Sequence, residues 1–213
     1  MRASTATDFG SVAVRVPAAA RGQRIGLLGG SFNPPHAAHR MISQIALRRL
    51  GLDAVWWIVS PGNPLKSRQG EAPLPERVAM ARAMAADARI RVTDFEAGLP
   101  TPYTASTLAY LRKRRPDVSF VWLMGADNLA SFHRWRNWRG IFQTMPIAVI
   151  DRPGWHLKAL AGPAARTFAS ARLPEVKALL LPRAEAPAWV FLSGPLSELS
   201  STALRQKAKG RPN

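Results

Sequence analysis

The chain has 213 residues, enough for one well-buried α/β domain and short for two. It contains no cysteine, which excludes a disulfide framework and thiolate chemistry, and no apolar run approaches the roughly 20 residues that span a bilayer. A formal charge of +17 calls for polyanionic ligands or partners, with nucleic acid and nucleotide phosphates the two obvious classes.

Residues 1–22 are rich in Ala, Ser, Thr and Arg with little apolar pattern. Arg15 breaks the only candidate for a signal-peptide core, Ser11 to Ala20, so a disordered tail is expected ahead of a domain over 23–213. The next stretch, RIGLLGGSFNPPHAAHR from Arg24 to Arg40, reads as a buried strand, Ile25 to Leu28, passing through Gly29-Gly30 into a helix that opens near Pro34-Pro35. The glycines free the backbone and let it approach a ligand, and proline suits a first helical turn. Unpaired N–H groups and the dipole make that helix start an anion site. His36 and His39, three residues apart, share one face of it. The glycine spacing fits neither the dinucleotide fingerprint nor the P-loop, and without cysteine or further ligands no protein-held metal is expected.

The helix from about His36 to Leu50 turns Met41, Ile45 and Leu47 toward a core and ends at Gly51. Ala54 to Ser60 is a continuous apolar run, a strand buried on both faces, and completes a βαβ unit. In the Pro- and Gly-rich loop Pro61 to Pro75, Lys66 lies just past the C-terminal end of that strand, where open parallel sheets bind ligands. A helix over Glu76 to Ala86 and a strand over Ile90 to Phe95 follow. Thr104 to Thr107 then open a helix that ends near Arg115, and the basic cluster Arg112 to Arg115 suits its C-terminus.

Val118 to Met124 is the next strand. Asp127 just past it is placed to meet ribose hydroxyls or magnesium, or to cap the following helix. Pro146 to Ile150 is a fifth strand with Arg152 at its end. Residues 155–187 are Ala- and Pro-rich with a weak pattern, a helical or loop insertion carrying no assigned chemistry. Ala188 to Leu192 is the last strand. Beyond it Ser200 can cap a helix whose first turn offers the hydroxyls of Ser201 and Thr202, with Arg205 on the same face as Ser201. Such converging donors suit a phosphate. The whole reads as a Rossmann-like, doubly wound parallel sheet with helices on both faces.

Several of these segments carry a resemblance. GGSFNPPHAAH resembles the GGxFxPxHxGH signature of the nucleotidyltransferases that share the HIGH motif, with Ala38 where glycine is usual. In detail the chain is similar to the bacterial nicotinate-nucleotide adenylyltransferases: YTASTL resembles YTxxTL, GADN with FHRWRNW resembles GADxLxxFxxW, Arg152-Pro153-Gly154 matches Arg-Pro-Gly, and LSSTALR is similar to ISSTxIR. The resemblance covers about residues 24–154 and 188–206. It implies transfer of the adenylyl group of ATP to nicotinate mononucleotide in NAD biosynthesis, in the cytoplasm, with magnesium brought by ATP. His36 and His39 would act on the ATP phosphates and the transition state. Gly29, Gly30, Ser31, Phe32, Lys66, Ser200, Ser201, Thr202 and Arg205 would bind ATP and its phosphates. Tyr103, Thr104, Thr107, Asp127, Trp135 and Arg152 would bind the mononucleotide, with Trp135 stacked on the nicotinate ring.

Sister reactions on nicotinamide mononucleotide or phosphopantetheine are the nearest alternatives. An RNA-binding protein that uses the charge and the tryptophans is the rival of a different class. The positions of Gly, His, Ser and Arg at helix starts along a βα pattern argue against RNA and for small nucleotide substrates.

Overall fold

Strict alternation along buried strands organises the molecule, seen in a computed structural model that describes residues 14–62 and 71–194. The strands are Arg24–Gly30 (β1), Ala54–Val59 (β2), Ile90–Thr93 (β3), Ser119–Gly125 (β4), Ile147–Ile150 (β5), Arg172–Leu173 (β6) and Trp189–Leu192 (β7). They form one parallel sheet in the order β3-β2-β1-β4-β5-β7-β6. Because successive side chains point to opposite faces, Ile25, Trp56, Trp122 and Val149 enter one core while Leu28, Trp57, Leu123 and Ile150 enter the other. Both faces are therefore covered. Helices Ala37–Arg49 (α1) and Leu74–Ala85 (α2) lie on the second face, and Thr104–Arg114 (α3) and Trp138–Thr144 (α5) on the first. Between α3 and α5 comes the short helix Ala126–Ser131 (α4) directly after β4, and His156–Leu160 (α6) with Pro163–Thr167 (α7) follow β5.

Chain order reverses between β1 and β4, so the C-terminal ends of these two strands part and leave the crevice where doubly wound sheets bind ligands. The expected strands are all present with ends shifted by a residue or two. β6 was missed because a two-residue strand has no period to read. The weakly patterned stretch 155–187 holds α6, α7, β6 and turns of 3-10 helix.

Two expectations are corrected here. Pro34 and Pro35 do not occupy the first turn of α1: His36, with extended backbone, is the capping residue, the helix begins at Ala37, and the Asn33–Pro34 bond is cis. The tail expected over 1–22 does not extend through the described residues 14–22. Val14 donates its N–H to Tyr110 Oη, Arg115 reaches the Ala19 carbonyl at 2.8 Å, and Gly22 bonds Asp117. Val14, Val16 and Ala19 pack on the core. At the other end of α1, Gly51 sits at φ 60° and Leu52 N–H returns to Leu47 C=O, the helix stop that the glycine signalled.

Candidate functional site

β1 leads straight into the site. Its last two glycines, Gly29 and Gly30, stay in the strand, and what Gly29 provides is room: a Cβ there would stand 2.5 Å from Trp122 Cη2. The left-handed backbone expected of them falls instead on Phe32, at φ 49°. Phe32 is fully buried, stacked on Trp57 at 5.1 Å and beneath His39 at 4.5 Å, so its side chain is a floor under the histidines. Trp57 is fixed in turn by Ser43, which accepts its indole N–H at 2.7 Å and donates to the His39 carbonyl.

His36 and His39 face each other with ring centroids 3.9 Å apart. His39 Nδ1 accepts the His36 backbone N–H at 3.2 Å, so the neutral ring carries its proton on Nε2. Burial pulls His36 down to about 4, helped by the Arg152 cation and opposed by Asp127. It pulls His39 to about 3, helped by His36 and Arg152. Near neutral pH both are therefore uncharged N–H donors in the ligand-free protein. Among the described residues His36 Nδ1 and Asp127 Oδ1 are buried without a hydrogen-bond partner, and so available to a ligand.

Asp127 and Arg152 pair with each other. Arg152 Nη1 donates to Asp127 Oδ2 at 3.0 Å, joining the start of α4 to the end of β5, and a Cβ on Gly125 would strike both side chains. Arg152 is also anchored through its own N–H to Asp151, whose other oxygen lies 2.8 Å from His156 Nδ1.

A cavity of about 390 Å³ opens at the end of β1, and His36, His39, Asp127 and Arg152 are not among its lining residues. Gly29, Gly30 and Ser31 form one wall, with Tyr103 and Thr104 at the start of α3 and Trp135 among the others. Trp135 rests on Phe132 at 5.0 Å, whereas Trp138 is buried in the core. Thr107 does not reach the cavity: its hydroxyl, fully buried, donates to Glu96 Oε1 at 2.5 Å. Lys66, Ser200, Ser201, Thr202 and Arg205 lie outside the described residues.

Several site residues lie outside the fixed positions of the sequence motifs. Arg134 and Arg136 flank Trp135 at the cavity, with the Arg136 guanidinium over the Tyr103 ring at 4.6 Å. Trp122 could have been found from strand alternation. Glu96, an acid between apolar neighbours, could not. Arg77 is 2% exposed and donates at 2.7 Å to both the Ser31 and the Ser60 carbonyls, tying the ends of β1 and β2 together.

The cytidylyltransferase-like family matches residues 27–207 of this chain. A relative from Mesorhizobium japonicum, named "Probable nicotinate-nucleotide adenylyltransferase", is 55% identical over 195 residues, covering 92% of this chain and 100% of the relative. One of the same name from Methylorubrum extorquens is 59% identical over 184 residues, 86% of this chain and 100% of its own. Among solved structures, Plasmodium falciparum nicotinic acid mononucleotide adenylyltransferase complexed with NaAD superposes with a TM-score of 0.65, covering 86% of this chain and 83% of that one. At 17% identity this last likeness speaks to the fold.

Proposed function

The chain belongs to the cytidylyltransferase-like family and, within it, to the nicotinate-nucleotide adenylyltransferases, and on that premise we propose that it joins ATP and nicotinate mononucleotide. A phosphate oxygen of the mononucleotide attacks the α-phosphorus of ATP. The bond from that phosphorus to the bridging β-phosphate oxygen breaks, and pyrophosphate leaves with the electron pair. The product is nicotinate adenine dinucleotide. A phosphate monoester is largely dianionic at pH 7, so no general base is required. Catalysis then rests on positioning and on stabilising charge in the transition state.

The observation that carries this reading is the cavity itself. It is lined by an aromatic side chain, Trp135, by the N-terminal turn of α3 at Tyr103 and Thr104, and by Gly29, Gly30 and Ser31, the segment that runs on in the chain to His36 and His39. We assign the nicotinate ring to Trp135 and its carboxylate to the Tyr103-Thr104 turn, supported by the helix-start donors there. The ATP phosphates are assigned to the edge at Gly29, Gly30 and Ser31, with Phe32 contributing as the floor. His36 and His39 are assigned to the transition state, where neutral N–H donors stabilise developing charge. Arg152, paired with Asp127 beside His36, is assigned to the mononucleotide phosphate, and the free Asp127 oxygen to a ribose hydroxyl. Lys66, Ser200, Ser201, Thr202 and Arg205 remain assigned to ATP from the sequence resemblance.

Magnesium is assigned to the triphosphate, whose own oxygens are hard ligands that suit it. Among the described residues no group of three or more His, Asp or Glu could hold a metal ion. When bound there, magnesium would neutralise charge on the phosphates. Among the same residues no helix is long and apolar enough to cross a membrane. The cytoplasm is assigned as the place of the activity from the sequence resemblance.

The test is an assay of the purified protein with ATP and magnesium, offering nicotinate mononucleotide and nicotinamide mononucleotide separately and following pyrophosphate and dinucleotide. Preference for the acid is expected. Turnover of the amide alone, or of neither, would overturn the assignment.

A further inference from the structure

Glu96 sits in the 3-10 turn Phe95–Gly98 that follows β3, borders the cavity, and is only 7% exposed. A buried carboxylate is costly unless its oxygens are hydrogen-bonded. Here Thr107 Oγ1, in the first turn of α3, donates to Oε1 at 2.5 Å. The Ser60 side chain, just past β2, is within reach of the carboxylate, while its hydroxyl also lies 3.3 Å from the Gly62 carbonyl. Burial pushes the Glu96 carboxyl up while both hydroxyls pull it down. The three residues come from separate parts of the chain, each of which reaches the cavity edge, although Thr107 itself does not. Ser60 borders it, and so does Thr104, one helical turn ahead of Thr107. A carboxylate accepts from several donors and donates none, so one acid can hold both segments at once.

Resting on the function proposed above, we propose that Glu96 is a positioning residue for the mononucleotide half of the site. It fixes the first turn of α3 relative to the end of β2, so that the Tyr103-Thr104 donors meet the substrate carboxylate already ordered. It touches no reacting atom, and its effect passes through Thr107. Loss of the acid therefore weakens mononucleotide binding and leaves the ATP side, built from β1 and α1, in place.

The test compares the wild type with Glu96→Ala, Glu96→Gln and Thr107→Val. The KM for each substrate, kcat and the melting temperature are measured, together with amide hydrogen exchange over 104–107 in the ligand-free protein. For Glu96→Ala the mononucleotide KM should rise about tenfold, the ATP KM should stay within about twofold, and exchange over 104–107 should quicken. Glu96→Gln keeps the shape and one acceptor oxygen, enough for the Thr107 hydroxyl, and should recover part of the loss. Thr107→Val is nearly isosteric, removes the donor from the other side, and answers the question should Glu96→Ala fail to fold. The proposal is overturned if both KM values rise together in step with a fall in melting temperature, if Gln is as poor as Ala, or if exchange over 104–107 is unchanged. The exchange readout needs no substrate. A wild type inactive on nicotinate mononucleotide would thus defeat the functional assignment, while unchanged exchange would defeat the role of Glu96.

Discussion

Arg152 Nη1 donates to Asp127 Oδ2 at 3.0 Å, and this pair, with side chains 12% and 28% exposed, stands beside His36 and His39. Read from sequence, each of the two would contact the mononucleotide on its own. In the fold each holds the other in place first. Removing Arg152 leaves a largely buried carboxylate, so Arg152→Ala should destabilise the protein more than the double variant Asp127→Asn, Arg152→Ala does relative to Asp127→Asn alone. The coupling in denaturant unfolding should be about 0.5–3 kcal/mol, and additive single effects would count against the pairing.

The histidine pair sets an acid sensitivity. Folded values of about 4 for His36 and about 3 for His39 lie below the ordinary 6.5, so between these limits the unfolded chain binds more protons. Stability should therefore rise with pH through this window and gain nothing further from these groups above about 6.5. Melting temperatures from pH 4 to 8 should show a steeper acid-side slope for the wild type than for His39→Asn. Equal slopes would refute the burial of an uncharged imidazole at position 39.

Gly29 and Gly30 separate space from conformation. Gly29→Ala would put a methyl 2.5 Å from the end of the buried Trp122 ring, which would have to shift, whereas Gly30→Ala meets only Phe32 at 3.4 Å. The first should lose about 1–3 kcal/mol and the second little, as overpacking in a tight core dictates. Thermal melts of the two variants decide it, and equal stability would refute the steric account.

Arg77 should resist even conservative replacement. Its guanidinium serves the Ser31, Ser60 and Ala72 carbonyls at 2.7–2.8 Å, a fork that a lysine ammonium on one stem does not reproduce. Arg77→Lys and Arg77→Met should both cost about 3–5 kcal/mol, the scale of breaking a buried charged network, and should lower activity by loosening Ser31. A Lys variant of full stability and activity would show that only the charge matters.

His39→Ala should lower kcat about a hundredfold or more in a folded protein, the scale of losing one transition-state donor. Steady-state kinetics beside a circular dichroism spectrum would check it, and an unchanged kcat would remove His39 from the chemistry.

The strands were legible because period-2 alternation and continuous apolar runs are properties of neighbours in the chain. Trp56 and Trp57, adjacent and destined for opposite cores, are one such case. That His36 and His39 lie close together was legible from their spacing, but not the geometry, because His36 caps α1 from extended backbone and shares no helical face with His39. The sequence by itself thus determined a parallel α/β sheet, the end of β1 as its working edge, and the residue types for phosphate chemistry. It did not reveal that the prolines precede α1, that the unusual backbone falls on Phe32, or that residues 14–20 fold back onto α3. Nor did it show Asp127 meeting Arg152, Arg77 joining β1 to β2, or Glu96 receiving Thr107 and Ser60. Those relationships join residues that only the sheet order 3-2-1-4-5-7-6 brings to one edge. Burial then decides which polar groups must pair, because an unsatisfied charge is costly only once tertiary packing has removed the water.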